Sequence, residues 1–459
     1  MADYQETRTP TAGQEGWHTS RYNLVARHPS GKGFLVLNLF KGSMQVCTEV
    51  EVALIQIADQ LDADMEVLEK FKKHGFITNF DELAALDTMG RQAAMGSRSV
   101  SVTICPTVGC NFDCPYCFEN HIPGKMSPQV QDDVVGLIGR MMGNVAAKRL
   151  HVNWFGGEPL LAPDVIEALS QRLIRMAEEK HAEYIGSVVT NGYLLTPENI
   201  DLLDRCRVRQ AQVTVDGLRE AHDATRHLAG GGPTFDRIIS NLRNNKLPFG
   251  VQIRHNAHMG NMDQIEPLKA LIREISEESG NRLVYYAATV TGSEVADERG
   301  QQVDLLAGDI DKEMCIQRVL RTGVLNNRGS YCGAHVLTSV SIDDKGNLYK
   351  CWNEVDKPEL SFGTAAEWDV VRPIESAARP DNLTKYLNTT CPIPDPECRE
   401  CVWLPTCHGN CPNARLTRGR ACFPFKDDPE AFTVAAYWVM KERAEAEQEA
   451  QNGKPARDE

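Results

Sequence analysis

The chain has 459 residues, of which 42% are hydrophobic, and a formal net charge of −14. That length and apolar content predict two or three domains with real cores. The acidic balance excludes non-specific nucleic-acid binding, which needs a basic face, and no apolar run reaches membrane-spanning length.

In chain order, residues 1–19 are polar, contain Pro and Gly, and are predicted to be disordered. The start, Met1-Ala2-Asp3-Tyr4-Gln5-Glu6, lacks the apolar core of a signal peptide, so the cytoplasm is the expected compartment. Strands are expected at Tyr22–Arg27, 34–37 and Ser43–Cys47, with turn chemistry at 28–33. Thr48 is positioned to cap a helix, with Glu51 completing a capping box. Further helices are expected over 63–74, ending at Gly75, and over 79–94.

From Val100 a strand–helix alternation begins. Candidate strands are 100–105, 150–155, 185–190, 211–215, 251–254 and 283–288. Their apolar, β-branched content predicts burial on both faces. Candidate helices are 128–142, 163–180, 197–206, 235–245 and 262–279, the first announced by Ser127-Pro128. Alternation of this kind means an α/β fold with a parallel sheet and crossover helices. Six units are too few for a closed eight-stranded barrel, so an open, partial (β/α)6 barrel is expected. Residues 291–302 read as an acidic loop. Residues 313–425 then carry nine of the 15 cysteines, with little periodicity. From about 428 an amphipathic helix is expected, with Phe432, Ala436 and Trp438, followed by a charged tail.

The cysteines decide the chemistry. Cys110, Cys114 and Cys117 stand at spacing C-x-x-x-C-x-x-C, directly after the first strand of the alternation. That places them at the C-terminal edge of the sheet, where barrel active sites lie. Three thiolates leave one iron of a [4Fe–4S] cluster without a protein ligand. Zinc is the alternative, and His121 is the nearest fourth donor, although a lone histidine is more often a surface residue. A disulfide scaffold fits a short exported chain rather than this one.

This stretch resembles the signature of the radical S-adenosylmethionine (SAM) enzymes, and Gly156-Gly157-Glu158-Pro159 matches that family's GGEP element. The resemblance covers roughly residues 98–425. It implies that the open iron chelates SAM and that Tyr116 packs near the adenine. It further implies SAM contacts from Gly156, Gly157 and Glu158, with the Glu158 carboxylate accepting from the SAM ammonium. Asn191 and Asp216, at the ends of the third and fourth strands, fall at SAM-contacting positions; turn chemistry is their plainer reading. In His222-Asp223-Ala224-Thr225-Arg226 the arginine falls where the family binds the SAM carboxylate. Arg254 and Asn256 are weaker candidates of the same kind.

Cys332, Gly346, Cys351, Cys398, Cys401, Cys407, Cys411 and Cys422 are similar to the seven-cysteine SPASM pattern. By motif position Cys332, Cys351 and Cys411 would ligate a first auxiliary [4Fe–4S] cluster, and Cys398, Cys401, Cys407 and Cys422 a second. With the SAM-binding cluster that makes three. Cys315 or Cys391 would complete the first auxiliary cluster; otherwise its open iron would take a substrate thiolate. Cys47, Cys105 and Cys206 read as buried apolar thiols.

The N-terminal pattern resembles the winged-helix modules that bind a leader peptide by strand addition. An accessory cap without a binding role is the alternative. The expected divisions are therefore a recognition module at 1–97, a barrel at 98–312, a SPASM domain at 313–427, and a helix with tail at 428–459. The resemblance implies an enzyme that forms an oxidative cross-link, thioether or carbon–carbon, in a ribosomally made precursor peptide. Its electron donor would be a flavodoxin or ferredoxin. The rivals are a sulfatase-maturase-type enzyme, which carries an aspartate where Trp352 stands here, and a noncatalytic iron–sulfur precursor-binding or electron-transfer protein.

Overall fold

The computed structural model describes residues 16–62, 65–258, 260–289, 331–390, 393–420 and 422–452. They fall in two compact units. One contains residues up to 91, Tyr331 and the residues from 390 onward; the other contains 92–289 and 332–389.

In the first unit, β1 (His18–Thr19) precedes an antiparallel sheet of β2 (Asn23–Arg27), β3 (Phe34–Asn38) and β4 (Ser43–Cys47). The three predicted strands are thus present. β1 pairs with β5 (Ile77–Thr78), so the expected disorder fails at His18 and Thr19. Their backbone groups find partners in a strand about sixty residues away, which local composition does not reveal. The predicted capping box is made. The Glu51 N–H donates to Thr48 Oγ1 at 3.2 Å, and the Thr48 N–H to Glu51 Oε2 at 2.8 Å.

Val36, Leu68, Phe71 and Phe76 are fully buried among the helices of this unit. A second core joins Tyr22, Leu24 and Leu37 to Trp403, Phe425 and Phe432. The last of these lies on helix Pro429–Asn452, which packs on β2 and β3. Phe432 and Ala436 face inward as expected, but Trp438 is 45% exposed. Val439 takes the inward position instead, since 432, 436 and 439 follow the i, i+4, i+7 stripe of a helix face.

Among the described residues, the second unit is built on one nine-stranded sheet. Six of its parallel strands are β6 (Ser99–Ile104), β7 (Arg149–Trp154), β8 (Glu183–Thr190), β9 (Val208–Thr214), β10 (Gly250–Ala257) and β11 (Leu283–Thr289). They lie side by side in sequence order, as a partial barrel requires. The crossover helices cover Val100, Val102, Ile104, Val152 and Trp154. The expectation of burial on both faces is corrected: Ser101, Thr103, Asn153 and Ser187 alternate with those residues and stay half-buried. An open barrel leaves its inner face wet enough for small polar side chains.

Three further strands come from the stretch read as lacking periodicity. β12 (Ser339–Ile342) pairs in parallel with β6, and β13 (Asn347–Tyr349) and β14 (Gly363–Thr364) continue antiparallel. Strands of four, three and two residues are too short to show a period. Gly346 turns the β12–β13 hairpin at φ +84°, as its position between Cys332 and Cys351 suggests.

Glu82 ties the first unit together at its base. It accepts from Ser20 Oγ at 2.7 Å and from the Arg21 N–H at 3.1 Å. Burial pushes its carboxyl up to about 7 from the ordinary 4.5. A raised carboxyl stabilises the fold fully below its unfolded value and loses that contribution as pH rises through its folded value. Glu82→Gln is therefore expected to remove up to about 3 kcal/mol of the fall in stability across that pH window. Hydrogen exchange of the Ser20–Asn23 amides in the full-length protein, corrected for intrinsic rates, checks this.

Candidate active site

Every loop of the site leaves the C-terminal end of a parallel strand. The β6 strand ends at Ile104, and the chain runs through Thr107 and Gly109 into Cys110, Cys114 and Cys117. Two neighbours fix this loop. On one side Phe112 bridges to Leu228, the Asp113 N–H donates to the His227 carbonyl (3.2 Å), and the Ala229 N–H donates to the Asn111 carbonyl (2.9 Å). On the other side lies the Gly156-Gly157 turn after β7, where the Glu158 N–H donates to the Gly109 carbonyl at 2.9 Å. A Cβ on Gly156 would stand 2.2 Å from the Thr107 carbonyl oxygen, and one on Gly157 2.3 Å from that of Gly109. Only glycine permits this approach.

The three cysteines line one cavity of about 100 Å³ together with Tyr116, His121, Gly156, Gly157, Asn191 and Arg226. Most of the predicted cofactor contacts are thus brought together. Burial, then the Glu158 carboxyl and the two neighbouring thiols, push Cys110 up to about 12, so its thiol resists ionisation until a metal supplies compensating charge. Among the described residues, no three such donors converge tightly enough to hold a single metal ion. A cubane does not ask for that convergence, because its thiolates sit on separate irons.

A polar hub closes the far wall. Tyr116 Oη hydrogen-bonds Asp216 Oδ2 and accepts from Arg226 Nη1 (2.8 Å) and Asn256 Nδ2 (3.3 Å). Asp216 Oδ1 accepts from the Asn256 N–H at 3.1 Å. Burial and the Arg226 charge hold His222 well below its ordinary range. Neutral, it accepts the Asp216 N–H on Nδ1 at 3.2 Å, which leaves Nε2 facing Thr234 Oγ1 at 3.0 Å. Asp223 Oδ1 accepts from the Thr234 and Phe235 N–H groups, anchoring helix Phe235–Asn244. The whole 222–226 segment therefore serves to hold Arg226 in place. Arg226 is 8% exposed, and its Nε is buried without a protein partner while the side chain lines the cavity. A buried guanidinium with an unused donor suits a carboxylate ligand. That observation, with the cysteine donor set, fits the cluster and SAM that the sequence implies.

Glu158 is arranged differently from the sequence expectation. It is fully buried and does not line the cavity. Its carboxylate accepts from Thr190 Oγ1 (2.8 Å) and from the N–H groups of Asn191 (2.7 Å) and Leu160 (3.0 Å). It pins the end of β8 to the glycine turn. Burial lifts it to about 7 despite those donors. Asn191, held by Glu158, reaches Asn111 Oδ1 with Nδ2 at 2.8 Å.

Beside the cluster loop, the rings of Phe118, Phe155 and Trp352 stack in a ladder, with centroid separations of 6.4 and 5.1 Å. Phe118 and Trp352 are each 42% exposed. No sequence pattern joins these residues, and the sequence reading missed the ladder. Cys332 and Cys351 flank the β12–β13 hairpin in the same unit. Cys398, Cys401, Cys407, Cys411 and Cys422 belong to the other unit. There, burial first and then the nearby sulfurs of Cys401, Cys398 and Cys422 together push Cys407 up to about 12. The four residues expected to share a cluster thus lie within electrostatic reach of one another. Cys411 caps helix Pro412–Arg418, and Arg415 donates to Cys398 Sγ at 3.5 Å. Cys315 and Cys391 lie outside the described residues. Cys47, Cys105 and Cys206 are buried, as expected.

Gly157→Ala is expected to cost about 1–3 kcal/mol, as overpacking does. It should also cut iron incorporation at the triplet, because the cysteine loop must shift. Gly230→Ala, where nothing lies within 4 Å, is the control and should change neither melting temperature nor iron content.

Residues 104–274 match the model of the Radical SAM superfamily. The chain is 27% identical over 171 residues to an AdoMet-dependent heme synthase of Methanosarcina barkeri, covering 37% of this chain and 46% of that protein. It is 23% identical over 347 residues to a serine-type anaerobic sulfatase-maturating enzyme of Bacteroides thetaiotaomicron, covering 67% and 81%. Alignments to the first curated relatives span 46%, 42% and 32% of their lengths. The fold is similar to the solved structure of anSMEcpe with bound AdoMet and the Kp18Cys peptide. There the TM-score is 0.53 at 16% identity, covering 75% of this chain and 98% of that one. The cysteine triplet, the glycine turn and the parallel sheet that carries them thus belong to a radical SAM domain.

Proposed function

We propose that this chain is a SPASM-type peptide maturase that forms an oxidative cross-link in a ribosomally made precursor. Cys110, Cys114 and Cys117 would hold the SAM-binding cluster, and Arg226 would take the SAM carboxylate. Tyr116, fixed by Asp216 and Asn256, would present its ring to the adenine, and Glu158 would keep the glycine turn seated. When bound, the cluster and SAM supply a 5′-deoxyadenosyl radical that removes a substrate hydrogen atom. The buried hub around Arg226 keeps water from that wall of the cavity. The SPASM cysteines would hold two auxiliary clusters, whose chemistry there would be to accept the surplus electron or bind a thiolate.

The observation that carries the peptide reading is the sheet β2–β3–β4. Helix Pro429–Asn452 packs on β2 and β3, while β4 pairs with β3 alone among the described strands. Val46 on β4 is 48% exposed. An edge of this kind accepts an extended leader as an added strand.

The sulfatase-maturase reading is favoured by the long alignment to the Bacteroides enzyme. Trp352, rather than aspartate, after Cys351 counts against it. Incubation of candidate precursor peptides with reduced enzyme and SAM, without oxygen, separates the two. A cross-link gives a product lighter by two hydrogens and inert to hydroxylamine; formylglycine gives a product that hydroxylamine captures.

Cys114→Ala is expected to abolish release of 5′-deoxyadenosine, since two thiolates cannot seat the cluster; turnover at the wild-type rate would contradict the ligand assignment. Val46→Asp is expected to weaken binding of a labelled precursor at least about tenfold, equivalent to about 1.4 kcal/mol, while leaving SAM cleavage without peptide unchanged. Fluorescence anisotropy measures the first effect and chromatography of 5′-deoxyadenosine the second.

A further inference from the structure

His121 lies four residues beyond the last cysteine of the triplet and has no part in the function described so far. Its Nε2 stands 3.1 Å from Cys117 Sγ, at the rim of the same cavity. The backbone there is left-handed, with φ +54°, a conformation that non-glycine residues adopt at a cost. The chain thus turns back on itself just after the cysteine loop and lays the imidazole against one sulfur.

Two roles suit such a nitrogen, and the distance chooses between them. A fourth cluster ligand would bind a different iron from Cys117, and the cubane itself would hold the two donor atoms apart. A separation of 3.1 Å is that of a hydrogen bond to sulfur. The other hydrogen bonds to these sulfurs come from the backbone of the loop itself, and one of them, from Glu119, also reaches Cys117. The Phe112 N–H donates to Cys110 Sγ at 3.4 Å. His121 is the side chain placed to act on Cys117.

We infer that His121 Nε2–H donates a hydrogen bond to the Cys117 sulfur and thereby raises the reduction potential of the cluster that the triplet holds. The inference rests on those three cysteines being the cluster ligands, and it is independent of the substrate. Reduction adds negative charge to a cluster, and part of that charge resides on the thiolate sulfurs. An N–H donor stabilises the reduced form more than the oxidised one, and hydrogen bonds to sulfur are among the factors that set cluster potentials. His121 would then be a positioning residue for electron entry, acting through Cys117 without touching SAM or substrate.

The test is a redox titration of the reconstituted full-length protein, followed by electron paramagnetic resonance. The signal that changes when SAM is added identifies the triplet's cluster among the others. His121→Ala should shift its midpoint to a more negative value, and His121→Gln, which keeps an N–H donor, should bring it back toward wild type. An unshifted midpoint in His121→Ala protein with full iron and sulfide content overturns the inference. A second measurement needs no variant. In protein labelled with nitrogen-15 histidine, pulsed resonance on the reduced, SAM-free cluster should show weak histidine nitrogen coupling. No coupling, or coupling strong enough for an iron–nitrogen bond, overturns the inference as well. A wild-type protein that assembles no SAM-responsive cluster would instead unseat the ligand assignment itself.

Discussion

The backbone of Gly156 and Gly157 lies flush on the backbone of the cysteine loop, and the site depends on that contact. With the bridge between Phe112 and Leu228 on the other side, it holds a short loop with three thiols in one conformation. Cys110 and Cys114 are half-buried and Cys117 is exposed, and thiols gathered in this way gain nothing from one another. Desolvation is the largest cause that keeps each of them protonated, so their ionised form waits on the positive charge of a bound metal cluster. Glu158 reinforces the arrangement from behind by joining the glycine turn to the end of β8.

A second constraint follows from the first. Once the cysteine loop is fixed, Tyr116 within it must meet the ends of β9 and β10. Its hydroxyl becomes the centre at which Asp216, Arg226 and Asn256 converge. The charge of Arg226 is thereby balanced and aimed while one donor remains unused. Preorganisation of this kind lets a ligand bind without reorganising the wall that receives it.

Much of this was legible in the sequence, for identifiable reasons. Six of the parallel strands announce themselves as apolar, β-branched runs, and their helices by period, length and Pro or Ser caps, as at Ser127-Pro128. The triplet and the glycine turn are visible because their chemistry demands fixed spacing. Glu158 was visible as a residue but not in its role, since only the fold shows that Thr190 and Asn191 claim its carboxylate. β12 to β14 were hidden by their brevity, and β1 by the distance to its partner Ile77–Thr78. The ring ladder of Phe118, Phe155 and Trp352 joins three separate stretches of the chain, and nothing local in the chain records that meeting.

The most direct measurement is Mössbauer spectroscopy of iron-57-reconstituted protein, with and without SAM. If Cys110, Cys114 and Cys117 hold a [4Fe–4S] cluster with one corner open, adding SAM changes the signal of a single iron subsite and leaves its three partners as they were. Zinc at the triplet, or a cluster whose spectrum ignores SAM, would contradict the account.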